Sequence, residues 1–311
     1  MPHTYPPAPP TISGDSITIS RFLNSPAAVQ RRLRTIAENR FLADVLLTGR
    51  YETSGGSLLY EQSESIYTSR APSAVNAGAE YPRASAAPGP AALAGVTKWG
   101  QDVPVTDEHV HRFGRRAVDV SLQKVVNYMV KQVDSVALAA IAAAVTQTQA
   151  VAAAWNNASR DILLDIMLAK SVVTKLDQGY DPDTMITTDE GYARIVADQK
   201  IISGLARERG VGMTVTETGD VVSIAGLRIL PTNNLPTGVK AQVLDSTMLG
   251  GLAYERLESP EYQGDPANGV ESWTRRDPDA NDQWLVRGRR PVVPVVQEPG
   301  AGCTITGTAL T

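Results

Sequence analysis

The sequence predicts an α+β fold, and three observations carry that expectation. The stretch from Gly49 to Phe113 is too polar and too broken by Gly and Pro to fold on itself. One long amphipathic helix follows it directly. Beyond residue 179, short apolar strands alternate with short helices. An arm that cannot bury itself calls for a partner subunit.

Residues 1–24 read as a leading arm in which five prolines favour an extended course and Ile12, Ile17 and Ile19 anchor it. Ser25 then caps a helix with Pro26 at its first position, and Val29, Leu33 and Ile36 form its apolar face. Arg31, Arg32, Arg34 and Arg40 make a basic patch. We read it as a solvated face or a source of salt bridges between subunits in preference to a DNA contact.

In the arm, Gly49, Gly55, Gly56, Gly78, Gly89 and Gly95, with Pro72, Pro82, Pro88 and Pro90, exclude a continuous helix. Ser57 to Gln62 and Ser65 to Thr68 are strand-like runs, and Gly95 to Trp99 is a return run. Together they predict a long open hairpin. Two strands alone are marginal in water, so the hairpin must lie across something else. A disordered linker is the alternative that the Pro, Ala and Ser content leaves open. Leu58, Tyr60, Ile66, Tyr67, Leu93, Val96 and Trp99 weigh against it.

From Ala117 to about Val145, apolar residues fall at Val118, Leu122, Val125, Met129, Val133, Val136 and Ala140, in steps of three and four that line one helix face. Asp119, Lys124, Lys131 and Asp134 lie mostly off that stripe. The apolar segment Val136 to Val145 is too short to span a membrane, which takes about 20 residues. A second helix is predicted from Arg160 to Leu176 on a stripe of Ile162, Ile166, Ala169, Val173 and Leu176, with Gly179 just past its end. Met185 to Thr187 reads as a strand, and Asp189 to Asp198 as a helix started by Thr188. Val211 to Thr218 and Val221 to Ile224 flank Gly219-Asp220, a hairpin-turn pair. Leu227 to Leu230 and Ala241 to Leu244 add apolar strands. From Leu252 the chain returns towards its first part: Gly269 to Arg275 and Gln283 to Gly288 are strands around a polar turn, and Pro291 to Gln297 is a third. Arg275, Arg276, Arg287, Arg289 and Arg290 cluster there.

Five passages resemble the major capsid proteins of tailed bacteriophages, which share the Hong Kong 97-like fold. Ala74-Val75-Asn76-Ala77-Gly78-Ala79-Glu80-Tyr81-Pro82 is similar to a passage of that family's extended loop, and Lys98-Trp99-Gly100-Gln101-Asp102-Val103-Pro104-Val105-Thr106-Asp107-Glu108 to the return before its spine helix. Asp161 to Ile166, Gly179 to Asp183 with Met185 to Thr187, and Gly226 to Pro236 resemble the entry into the axial domain and its Asn-Leu-Pro turn. The likeness runs in order over most of residues 20 to 300. It implies an N-terminal arm and short helix at 1–48, an extended loop at 49–104, a peripheral domain at 105–178 and 259–311 with its spine helix at about 117–145, and an axial domain at 179–258.

The resemblance also implies a function. Copies of the chain are expected to assemble as hexamers and pentamers into an icosahedral shell enclosing double-stranded DNA, without sequence-specific binding. A separate scaffolding protein, a portal and a decoration protein are the expected partners, with assembly in the host cytoplasm, a place in the virion and no membrane. Contacts between subunits are expected at Leu58, Tyr60, Ile66, Tyr67, Glu80, Tyr81, Arg83 and Trp99 of the arm, and at Arg31, Arg32, Arg34, Arg275, Arg276 and Arg287. An encapsulin-like compartment that loads protein cargo is the first alternative. A soluble α/β enzyme or binding protein is the second.

Composition agrees with a shell wall. The 311 residues carry 29 basic and 33 acidic side chains, a net charge of −4 that gives no general attraction to nucleic acid. The single cysteine, Cys303, excludes an internal disulfide framework. Met1 to Pro10 lacks the apolar core of a secretory signal. No catalytic, cofactor or metal site emerges. His109 and His111, an i, i+2 pair without cysteine, read as exposed loop residues. Gly49 to Ser57 has neither the spacing nor the lysine of a phosphate loop. Asp277-Pro278-Asp279-Ala280-Asn281-Asp282 starts like a calcium loop but lacks its sixth-position Gly and twelfth-position Glu, so it reads as a turn.

Some members of the resembled family join subunits through a loop lysine bonded to a neighbour's asparagine. Residues 51 to 97 contain no lysine, and Lys98 stands at the base of the arm. The shell is therefore expected to be non-covalent. Denaturing electrophoresis of purified particles should give one band of monomer mass, and a ladder of multimers would contradict it.

Overall fold

The computed structural model describes residues 28–32, 41–198, 200–201, 213–215, 221–257, 259, 261–267, 269–277 and 282–310. Residues 28–32 are helical, with Val29 buried. In chain order there follow helix α1 (Leu42–Leu46), strands β1 (Gly49–Thr53), β2 (Ser57–Glu61), β3 (Ala91–Gly95) and β4 (Thr97–Thr106), and helices α2 (Asp107–Phe113) and α3 (Arg115–Ala144). Then come β5 (Thr148–Ala150), α4 (Ile162–Thr174), β6 (Thr184–Thr187), α5 (Asp189–Val196), β7 (Met213–Val215), β8 (Val221–Ile224) and β9 (Leu227–Pro231). The last are β10 (Ala241–Leu244), β11 (Gly250–Glu255), β12 (Glu271–Arg276), β13 (Gln283–Val296) and β14 (Gly302–Thr306). The expected arm at 1–24, the Ser25 and Pro26 cap, Leu33, Arg34, Ile36, Arg40, the Gly219-Asp220 turn and residues 278–281 lie outside the described residues.

The chain divides into two units, one of Met1–Arg40, Lys98–Val130 and Leu257–Arg290, the other of Phe41–Thr97, Lys131–Arg256 and Pro291–Thr311. In the first, β12 runs antiparallel to residues 284–289 of β13, and β4 also pairs with β13. Val118, Leu122, Val125 and Val126 of α3 are buried. A side chain at Gly288 would meet Val125 and Val270, so only glycine lets strand and helix come this close. Thr106 caps α2 by accepting from the His109 backbone N–H at 3.3 Å, and Gly114, at φ 61°, ends it. Inside this unit Arg289 pairs with Glu271 at 2.6 Å, both nearly buried, and lies over the Tyr262 ring.

The second unit is built on a seven-stranded sheet of order β5-β14-β10-β6-β9-β8-β7. β10 and β6, antiparallel neighbours at its middle, are buried along their whole length. Their few polar side chains are buried too, and Gln242 donates to the Thr304 hydroxyl at 2.9 Å. Ile162, Ile166, Ala169 and Val173 of α4 pack with Met185, Val243, Ile305 and fully buried Trp155. The indole N–H donates to the Asp165 carboxylate at 3.1 Å, and burial raises that carboxyl's pKa. Thr188 caps α5 through the Gly191 N–H, as its position before Asp189 predicts. Burial also pushes the Cys303 thiol up to about 11. In the same unit β1 runs parallel to β11, and β11 antiparallel to residues 292–296 of β13.

Several expectations need correction. Ser65 to Thr68 forms no strand; its Ser and Tyr side chains bond locally or reach outward. The return limb of the hairpin is β3, not Gly95 to Trp99, which straddles the end of β3 and the start of β4. Pro291 to Gln297 is no separate strand but the second half of β13. His109 and His111 are exposed, yet they stand on a helix. Gly49 to Ser57 is β1 and its turn. The buried stripe of α3 ends on Ala137, Leu138 and Ile141 in place of Val136 and Ala140. Val118–Ala144 is long and apolar enough by length and composition to cross a membrane. Its buried residues run from Val118 to Ile141, as in a core helix.

Asp134 is the informative exception on α3. It is buried, and its carboxylate accepts from the Ala43 N–H at 2.9 Å. Phe41 supplies no side-chain cap to α1, so a carboxylate from another helix does. Asp134→Ala should cost about 1–3 kcal/mol in chemical denaturation of the unassembled chain. A change within experimental error would deny the bond that role.

Candidate functional site: the hairpin arm

Alternation along two short strands decides which side of the arm faces the protein. β2 and β3 pair antiparallel, with Leu58 opposite Ala94, Leu59 opposite Leu93 and Tyr60 opposite Ala92. Successive side chains point to opposite faces. Leu58, Tyr60 and Ala94 pack with Tyr51, Ala253, Val293 and Val295. Leu59 and Leu93 are left 71% and 70% exposed, side by side on the other face. The period-2 pattern of Ser57-Leu58-Leu59-Tyr60-Glu61 leaves open which leucine turns inward. The sequence reading placed Leu58 and Tyr60 among the contact candidates and Leu59 nowhere.

The ribbon is held at its base. Gly55 and Gly56, at φ 114° and 75°, turn β1 into β2, and both backbone N–H groups donate to the Glu255 carboxylate, at 3.1 and 3.2 Å. The Thr53 hydroxyl donates to the Ser57 carbonyl. Beyond Glu61, Gln62 and Ser63 donate to the carbonyls of Pro90 and Gln297, and the Ile66 N–H donates to the Gln178 side chain. The Tyr67 hydroxyl donates to Asp177 at 2.9 Å, a bond that raises the phenol's pKa. Further out, the loop closes on itself. Ser69 donates to the Ser85 carbonyl, and Ala79 to the Asn76 carbonyl across a turn with Gly78 at φ 82°.

Residues 62–90 carry neither helix nor strand, and almost all of them are exposed. Ile66 and Tyr67 are exposed, Tyr81 is 78% exposed, and Glu80 and Arg83 form an ion pair at 3.4 Å in full contact with solvent. Such a pair is worth little by itself. Trp99, on β4, is half-buried. The arm thus has one apolar face supported by its own chain and one that is bare.

The arginines divide differently. Arg31 is exposed on its helix, and Arg32 pairs with Asp119 at 3.1 Å. Arg276 makes a two-pronged pair with Asp107 at 2.7 and 2.6 Å and reaches Asp282. Arg287 grips Asp102 of β4 at 2.5 and 2.6 Å and lies over the Trp273 ring of β12, so it braces both neighbours of β13. Arg275 covers the same ring. The guanidinium beside Asp107 holds its carboxyl below the usual carboxylate range, and Asp102 raises the pKa of Arg287. Among the described residues no group of three His, Cys, Asp or Glu side chains is placed to hold a metal ion.

Comparison with known proteins gives a consistent picture. A family model described as phage capsid protein matches residues 91–305. No curated protein matches the sequence. Among solved structures, the capsid protein of cyanophage P-SCSP1u is similar at a TM-score of 0.62 and 14% identity, over 86% of this chain and 88% of that one. The mature capsid of bacteriophage PhiM1 is similar at 0.60 and 11% identity, over 87% and 88%. The SrpI encapsulin of Synechococcus elongatus PCC 7942 is similar at 0.54 and 15% identity, over 88% of each chain. At these identities the structures establish the fold, Hong Kong 97-like and α+β.

The Asp107 and Arg276 pair gives a pH test. A carboxyl whose folded pKa is depressed contributes stability that is present above its unfolded value, about 3.9, and is lost as the pH falls through the folded value. Arg276→Gln should move the Asp107 titration, followed by carboxyl NMR, up to the ordinary range while changing overall stability little. An unmoved titration would show that the arginine does not set it.

Proposed function

The chain belongs to the phage capsid protein family and is a major capsid protein whose copies associate into a shell; on that premise we propose that they do so as hexamers and pentamers, enclosing double-stranded DNA in an icosahedral head. The observation that carries this reading is the arm. Its base is fastened to its own subunit, whereas Leu59, Leu93 and most side chains of the loop beyond Tyr67 stand exposed. Residues 49–104 serve as the extended loop lying over a neighbouring subunit, 105–178 and 259–311 as the peripheral domain, and 179–258 as the axial domain, with 1–48 as the N-terminal arm. β5 and β14 lie at one edge of the seven-stranded sheet.

Leu58 and Tyr60 support the ribbon from beneath, while Ile66, Tyr67, Glu80, Tyr81 and Arg83 face the neighbour. Trp99 sits where the arm returns. Arg31 and Arg275 are exposed and lie within reach of a neighbour, while Arg32, Arg276 and Arg287 stiffen the subunit. The role is mechanical, not enzymatic. Each contact is small and is multiplied over a closed shell. A separate scaffolding protein, a portal and a decoration protein complete the head, which forms in the host cytoplasm without a membrane and becomes part of the virion.

An encapsulin-like compartment is the second reading, favoured by the SrpI likeness. Nuclease-resistant DNA in purified particles separates the two, because a cargo compartment holds protein in its place. For the arm, Leu59→Asp with Leu93→Asp should leave folding intact by circular dichroism and convert sedimenting shells into small oligomers. Wild-type shell yield from that variant would remove the arm from the assembly contact.

A further inference from the structure

Helix α4 is apolar on two faces, and only one of them is covered. Ile162, Ile166, Ala169 and Val173 are buried in the core of the seven-stranded sheet. Leu164, Met167 and Leu168, spaced i, i+3, i+4, form a second row that is 50%, 47% and 39% exposed. A helix with apolar residues all round belongs in an interior. Among the described residues only the first row is packed into that interior.

The polar groups around the row are already satisfied within the subunit. Asp161 caps α4 and pairs with Lys200, and Lys170 pairs with Asp181. The rim therefore adds little demand for a partner of opposite charge, and the apolar centre decides what binds. Three half-exposed side chains offer a few hundred Å² at most, well below the roughly 800 Å² per partner of a stable two-chain interface. A patch of that size suits one contact among several in a closed assembly. Because a ring is closed by head-to-tail contacts, the row would meet a different surface of the next copy.

We propose that Leu164, Met167 and Leu168 of α4 form a contact with a second copy of this chain, separate from the arm. The inference rests on the capsid reading, since only a chain that packs into a shell has another copy held against this helix.

Met167→Glu with Leu168→Glu tests it. Both positions are exposed, so the near-ultraviolet circular dichroism and melting of the unassembled chain should match the wild type. Shell yield by sedimentation should fall at least about tenfold. Shells at wild-type yield would overturn the contact. If the glutamates lower the melting temperature, Met167→Gln with Leu168→Gln is read in the same way. A second measurement needs no variant. Dilute peroxide should oxidise Met167 more slowly in shells of this chain alone than in the unassembled chain. Equal rates, or protection that appears only when scaffold, decoration protein or lipid is added, would assign the row to another occupant and overturn the proposal. A wild-type chain that forms no shells would instead overturn the capsid reading itself.

Discussion

A two-stranded ribbon can be supported from one side only, and that constraint shapes this protein. β2 and β3 are too short to be stable alone, so their inward residues must rest on a larger sheet. Leu58, Tyr60 and Ala94 do so, on Ala253 and Val295. The pleat then obliges Leu59 and Leu93 to point away. Everything beyond Glu61 hangs from this small apolar contact, from the Glu255 carboxylate that holds the Gly55 and Gly56 turn, and from a few hydrogen bonds near residue 65. The proposed role gives that exposed face a neighbour to rest on.

The rest of the chain makes the presenting surfaces stiff. Trp155 is tied to Asp165 inside the sheet core, and α1 takes its N-terminal bond from Asp134. Arg287, gripping Asp102 while lying on Trp273, locks three strands together. Buried carboxylates such as Asp165 and Asp134 are costly unless hydrogen-bonded, and each accepts a bond within its own unit. Weak contacts repeated many times select one geometry only if the repeating piece does not deform.

Legibility in the sequence followed the strength of the local pattern. Helices α3 and α4 and strands β6, β9 and β10 were readable because apolar residues recur at unambiguous spacing, and Thr188 and Gly179 mark ends. α1 was not, since its cap comes from Asp134, ninety-odd positions away. β1 and β11 pair in parallel across a long stretch of sequence, and β5 and β14 carry small or polar residues, so neither pair has a local signature. Residues 283–288 and 291–297 read as two strands, yet β13 runs through both, paired with β12 over 284–289 and with β11 over 292–296. The arm was readable as an arm. Which of its leucines faced out was not, because alternation sets the spacing and tertiary packing sets the phase.

Hydrogen exchange tests the central claim most directly. The amides of residues 62–90 have little regular bonding and should exchange rapidly in the unassembled chain. In assembled shells the same amides should be strongly protected, because a neighbouring copy covers them. Equally fast exchange in both states would contradict the account, since the arm would then hang free in the shell it is said to hold together.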